Sequence, residues 1–345
     1  MFAKTLNIKN FSVLPNGGFE FSPHLNIIVA ENACGKSHLL KLIYTLLKIT
    51  SEPEQFSKNK LQEIYARKFI NVFRPDELGR LVKRKQGRER AEIKFYLDSG
   101  LHSELNFASN AKTQVNVEYI SEQRNLPPVF IPTRELITLE DSFTTQYIQR
   151  ELSFEETWFD TVLLLKASPL KGPRLKEIDK LLAPIEEVMG GKVNSRNGRF
   201  YLGNVEAPLV AEGMRKLMMI ARLLATGSLQ DKGYLFWDEP EANLNPKLIK
   251  AAAKIIFSLA STGIQVFIAT HSLFLLRELE ILNIENKISK RFFSLTLDDK
   301  GTQLQQGDNM SDLDTIVALD ESLMQSERYL DATITLDREC KTIRL

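Results

Sequence analysis

The chain has 345 residues, 43% hydrophobic and 26% charged, which is ample for a packed core, and its formal net charge of +1 excludes bulk charge as a guide to nucleic acid or membrane. Its two cysteines, Cys34 and Cys340, exclude a disulfide framework and point to a reducing, cytoplasmic setting. No apolar run reaches the ~18 residues that span a bilayer. The opening residues run into a strand pattern and not a signal peptide, so no membrane partner is expected.

Residues 4–11 alternate apolar and polar with period two, predicting a half-buried strand; 16–18 read as a turn and 19–21 as its return strand. An apolar strand at 25–29 then runs into Ala30-Glu31-Asn32-Ala33-Cys34-Gly35-Lys36-Ser37. Leu39, Leu40, Leu42, Ile43, Leu46 and Leu47 follow at helical spacing. Strand, turn ending in Gly-Lys-Ser and helix are the context of a phosphate-cradling loop. The N–H groups at 32–37 and the helix N-terminus would wrap the β-phosphate. Lys36 would bring charge to the β- and γ-phosphates, and the Ser37 hydroxyl would ligate Mg²⁺. Glu31, Asn32, Ala33, Cys34, Gly35, Lys36, Ser37 and His38 form the expected nucleotide-binding set. Ala30 and Ala33 stand where glycine is common, and Cys34 is expected to be a small space-filler.

Between 58 and 94 there are 12 Lys/Arg against 5 Asp/Glu, densest at 83–85 and 88–90. The run reads either as a surface for nucleic-acid phosphates or as a solvated face. Alternating segments at 91–98, 103–108 and 114–120 predict an antiparallel subsheet, and 129–132 a buried strand. The pattern from 140 to 190 is helical. A hairpin follows, with Asn197-Gly198 at its type I′ turn. Residues 212–226 form one strongly apolar helix; then come the strand of Tyr234-Leu235-Phe236-Trp237-Asp238-Glu239, a helix near 246–260, and a strand at 265–269 leading to Thr270-His271-Ser272. A hairpin turning at 298–301 and a helix from about 311 complete the chain. Strands alternating with helices argue for a mostly parallel α/β core.

An apolar strand ending in Asp-Glu is the usual source of a Mg²⁺-anchoring carboxylate, here Asp238, beside one that polarises the attacking water, here Glu239. The loop at 30–37, the run Trp237-Asp238-Glu239-Pro240-Glu241-Ala242-Asn243-Leu244 and Ala269-Thr270-His271-Ser272 resemble the ABC-type ATPase superfamily. They are most similar to its soluble branch of SMC proteins, recombination-repair ATPases and OLD-type ATPases of prokaryotic defence loci. The resemblance implies a homodimer that sandwiches two ATPs. It makes Glu239 the general base, His271 the switch histidine at the γ-phosphate, and the loop through Asn243 an interface element. The signature position reads Val210-Ala211-Glu212-Gly213-Met214, with Ala211 where a serine is usual. By the resemblance, Ala211, Glu212, Gly213 and Arg215 are the contacts to the partner's nucleotide. Glu135, after Pro132-Thr133-Arg134, stands in for the missing Mg²⁺-sensing glutamine.

The expected fold is thus an α/β P-loop ATPase forming one domain over 1–345. It would carry an insertion or lid at 50–125, a helical subdomain at 140–190, a nucleotide core resuming at 205–275 and a hairpin plus helix at 290–345. The expected activity is ATP hydrolysis with Mg²⁺, driving a dimeric switch that controls a separately encoded nuclease or toxin in phage defence. A DNA-binding maintenance ATPase, a transporter's nucleotide-binding subunit and a non-hydrolysing scaffold are the rivals.

Overall fold

The computed structural model describes residues 1–345 apart from 53–55, 84–88, 121–124, 140–141, 150–151, 230–232 and 343–345. Strands β1 (Ala3–Lys9), β2 (Gly17–Glu20) and β3 (Leu25–Ala30) precede helices α1 (Lys36–Thr50) and α2 (Lys58–Phe73). β4 (Arg90–Leu97), β5 (His102–Ala108), β6 (Asn116–Ile120) and β7 (Pro128–Ile131) follow, then α3 (Ser142–Ile148), α4 (Glu156–Lys166) and α5 (Pro173–Met189). β8 (Val193–Arg196), β9 (Arg199–Leu202) and β10 (Val205–Glu206) lead to α6 (Glu212–Ala225) and β11 (Tyr234–Asp238). The chain closes with α7 (Pro246–Ser261), β12 (Gln265–Thr270), α8 (Leu273–Asn286), the hairpin β13 (Lys290–Asp298) and β14 (Gly301–Gly307), and α9 (Val317–Thr342).

Three sheets organise these elements. The central one runs β14-β13-β3-β12-β11-β7 and is parallel except at β14, which pairs antiparallel with β13. Its inner strands β3, β11 and β12 are buried on both faces, as parallel strands covered by helices must be. Strand parity splits the core in two. Leu25, Ile27, Val29, Leu235, Trp237, Val266 and Ile268 meet the helices α4 to α8 on one face. Ile28, Phe130, Tyr234, Phe236, Phe267 and Phe293 meet α1, α2 and the second sheet on the other. That second face is aromatic: the Phe236 and Phe267 rings stack at 4.9 Å, with Tyr44 edge-on to Phe236 at 6.0 Å.

The second sheet is antiparallel, in the order β2-β1-β4-β5-β6. The three alternating segments predicted between 91 and 120 are its strands β4 to β6, and they extend the sheet begun by β1 and β2. β4 pairs along β1 from Lys9↔Glu92 to Ala3↔Leu97, so much of the stretch expected as an insertion or lid is continuous with the N-terminal strands. The small third sheet turns at Asn197 and Gly198, whose φ values of 50° and 78° give the predicted type I′ turn. A buried ionic cluster fastens α1 and α2 to α4. Lys68 donates to Glu156 at 2.8 Å and Asp160 at 2.9 Å, and the Tyr44 hydroxyl donates to Asp160 at 2.5 Å.

Parallel register brings the C-terminal ends of three neighbouring strands together. Val29 pairs with Thr270, and Ala269 with Asp238. The loop after β3, the Asp-Glu pair after β11 and His271 after β12 therefore share one edge, where open α/β sheets place their ligands.

Candidate nucleotide site

The loop between β3 and α1 is held by sterics at two residues. Gly35 has φ +93°, and a Cβ there would lie 2.9 Å from both Val13 and Leu14, so conformation and space both demand glycine. Ala33 also adopts a left-handed φ, +66°, at a position where glycine was expected from the sequence pattern. Cys34 is fully buried, and burial raises its thiol pKa, with Glu31 adding to the effect; it fills space and is no thiolate. The Lys36 ammonium donates to the carbonyls of Ala30 at 2.7 Å and Glu31 at 2.9 Å, at the mouth of the loop. Ser37, in the first turn of α1, lies beside Asp238, so the two residues expected to anchor Mg²⁺ are neighbours.

Asp238 is 5% exposed, and burial pushes its carboxyl up to about 6; the neighbouring Ser37 hydroxyl pulls the other way. Its Oδ1 is buried with no hydrogen-bond partner. A buried carboxylate oxygen with no protein partner, beside a serine hydroxyl, suits hydrated Mg²⁺, which keeps several waters and phosphate oxygens in its shell. Among the described residues no group of three His, Cys, Asp or Glu could hold a metal by itself.

Glu239 follows with φ +47°, an uncommon conformation for a residue with a side chain. His271 Nδ1 lies 3.5 Å from an oxygen of Glu239 and 3.5 Å from one of Glu241. Glu241 is buried and orients the strand end: its Oε1 accepts from the Thr270 hydroxyl at 2.6 Å and the His271 N–H at 3.1 Å. A cavity of about 430 Å³ opens beside Glu31, Asn32 and His271, walled by Leu295 and Val317.

A family model described as "AAA domain, putative AbiEii toxin, Type IV TA system" matches residues 60–277. The chain belongs to this AAA-domain family. The matched span holds the Asp-Glu strand, α6 and His271, and the Ser37–Asp238 contact ties the loop outside it to that core. Among solved structures, an SMC head bound to the C-winged helix domain of ScpA is similar with a TM-score of 0.55 at 13% identity, over 90% of this chain and 99% of that one. An SMC head with an extended coiled coil, bound to the C-terminal domain of ScpA derived from Pyrococcus furiosus, gives 0.54 at 11% identity, over 95% and 99%. At such identities the likeness is one of fold. Among curated proteins, the DNA replication and repair protein RecF of Streptococcus uberis is 41% identical over 71 residues, 19% of this chain and 20% of that protein. RecF of Francisella tularensis subsp. tularensis is 32% identical over 92 residues, 25% of each. The chain therefore matches only a fifth to a quarter of the length of these relatives. Its fold is thus that of an SMC head built around a phosphate-loop motif.

Within this AAA-domain protein the remaining predicted residues sort by contact. Glu212 and Asn243 meet: the Asn243 amide donates to the Glu212 carboxylate at 2.8 Å. Gly213 lies so close to the Asn243 loop that a Cβ would come within 2.8 Å of the Asn243 carbonyl. The turn Ala211–Gly213 is thus fitted to the loop through Asn243 within one chain.

Three of the expected residues have partners within their own chain. Glu135, read as the Mg²⁺-sensing residue, already uses both carboxylate oxygens: one accepts from Ile137 N and Thr138 N, the other from the Thr138 hydroxyl, with Arg215 Nε at 2.9 Å. The same ion pair joins Arg215 to Glu135 within the chain. The His38 imidazole also turns from the phosphate loop; its Nδ1 lies 2.5 Å from the Ser12 hydroxyl and its ring sits edge-on to Phe73. Phe11 is a core residue against Phe69, Phe73 and Phe107.

The basic run at 58–94 is partly spent internally. Lys68 and Lys94 are ion-paired, Lys60 pairs with Glu63, and Arg90 bonds Asn106. Its densest segment falls largely at 84–88, outside the described residues. No described helix is long and apolar enough to cross a membrane.

Proposed function

We propose that this ATPase is an ATP-gated homodimeric switch whose hydrolysis step uses Glu239 as general base. The observation that carries the reading is the convergence of Lys36, Ser37, Asp238, Glu239 and His271 on one sheet edge. Lys36 would release its loop carbonyls for the β- and γ-phosphates. Ser37 and Asp238 would hold Mg²⁺, which neutralises charge developing on the transferred phosphoryl group. Glu239 would orient the attacking water and take its proton, with His271 beside it contacting the γ-phosphate. A second copy would complete each site through Ala211, Glu212 and Gly213.

The output we infer is control of a separately encoded nuclease or toxin in phage defence, in keeping with the toxin–antitoxin wording of the family description. The test is the solution mass of Glu239→Gln with and without ATP and Mg²⁺. Doubling only with nucleotide supports the sandwich. A monomer throughout removes the trans site, and an oligomer without nucleotide relocates the interface.

A DNA-directed role is the second reading, favoured by the local RecF likeness. It requires DNA-stimulated ATP turnover that is lost when Lys83, Arg84 and Lys85 become Ala.

A further inference from the structure

Lys216 lies in the second turn of α6, immediately after the signature turn, and is fully buried. Burying an ammonium is costly unless its donors are satisfied. Its hydrogen bond goes to the main-chain carbonyl of Glu239, at 3.2 Å, and not to a carboxylate. The carboxylates of Glu241, Glu212, Glu239 and Asp238 surround it and oppose the cost of its desolvation.

The carbonyl it grips belongs to the strained residue. A left-handed φ on a residue with a side chain is unfavourable and persists only where neighbours over-determine it. Three bonds do so at Glu239. Its N–H donates to Ala269 O at 2.9 Å, its carbonyl accepts from Ala242 N–H at 3.1 Å, and the same carbonyl accepts from Lys216. The first two are backbone bonds, available to any sequence folded this way. The third comes from a side chain on the helix that begins at the signature turn.

We propose that Lys216 is a positioning residue: by pinning the Glu239 carbonyl it fixes the direction of the Glu239 carboxylate beside His271. It thereby couples the seating of α6 to the geometry of the water-activating group. This rests on the reading of Glu239 as general base. A misplacement of a reacting group by about 1 Å costs roughly 100-fold in rate, so the hold on one carbonyl can govern turnover without touching nucleotide.

The experiment compares Lys216→Met, which keeps the apolar stem, with Lys216→Arg, which keeps a cationic donor. ATP turnover, ATP affinity, melting temperature and amide exchange over residues 236–244 would be followed in the full chain. For Lys216→Met the expected result is kcat lower by about 100-fold with KM and melting temperature near wild type, and faster exchange at the Ala242 amide. Lys216→Arg should recover part of both losses. Unchanged kcat and exchange in Lys216→Met overturn the proposal, and so does a joint fall of kcat, ATP affinity and melting temperature. The Glu239→Gln background separates the two readings. If Lys216 acts through Glu239, adding Lys216→Met there causes little further loss, whereas independent effects multiply. Should Glu239→Gln turn over like wild type, the base reading falls, and exchange at Ala242 alone still decides whether Lys216 holds the turn.

Discussion

Asp238 shows how a functional carboxylate weighs on its own fold. Its pKa rises from 3.8 in the unfolded chain to about 6 when folded, because burial penalises the charged form. Between those values the unfolded chain has fewer protons bound, so stability falls as pH rises and the full cost, about 2–3 kcal/mol, is present at pH 7. Two outcomes follow for the protein without nucleotide. Acidification from pH 7 to 5 removes a little under half of this contribution, the rest going as pH falls through 3.8, and Asp238→Asn should melt higher than wild type at pH 7 while losing Mg²⁺-dependent ATP binding. A melting curve and an ATP titration with and without Mg²⁺ check both. A lower melting temperature for Asp238→Asn would mean that partners beyond the neighbouring Ser37 hydroxyl hold the Asp238 carboxylate. Ala33 carries the opposite lesson. With φ +66° it sits where glycine is unstrained, so Ala33→Gly should stabilise the fold by about 0.5–1 kcal/mol, read from denaturant midpoints. Residues like these were legible in the sequence because local motifs mark them. Lys216 and Glu241 were not legible in their roles, since burial and the partners they find are set by elements far apart in the chain.

At the scale of elements, parity in the strands and helical spacing in α1 and α6 were readable because each reports a local period. The joining of β4 to β1 was not, since their register links residues over eighty positions apart and no short-range signal encodes it. Likewise, the charge run at 58–94 looked like one surface, yet it divides by burial. Lys68 is 8% exposed and serves two carboxylates, while Lys9, on β1, is exposed and pairs with exposed Glu92. These pairs should respond differently to mutation. Lys68→Met leaves Glu156 and Asp160 without their cation in a buried site and should destabilise by about 3 kcal/mol or more. Lys9→Ala should leave stability close to wild type, as exposed pairs do. Equal effects in urea unfolding would show that the α1–α2–α4 cluster is solvated more than its burial implies.

For the whole molecule, the sandwich reading makes a claim about surface. Leu209, just before the signature turn, is 77% exposed, and Phe274, three residues past His271, is 42% exposed. Leu209 flanks the turn through which a partner's nucleotide would be reached and Phe274 flanks the γ-phosphate side, and exposed apolar side chains next to polar site residues suit an interface that forms only on demand. A two-fold dimer uses each patch twice. If Leu209 is covered on closure, losing its burial costs roughly 1.5 kcal/mol per copy, hence about 3 kcal/mol per dimer. That corresponds to a dimer weaker by about 100-fold. Leu209→Asp placed in the Glu239→Gln background should therefore remain a monomer at concentrations where Glu239→Gln alone doubles its mass with ATP and Mg²⁺. ATP affinity of the single chain should hardly move, because Leu209 makes no part of the phosphate loop. Mass doubling that persists in the double variant would place Leu209 outside the closed interface. The partner would then have to approach by another face, and the trans roles of Ala211 and Gly213 would go with it.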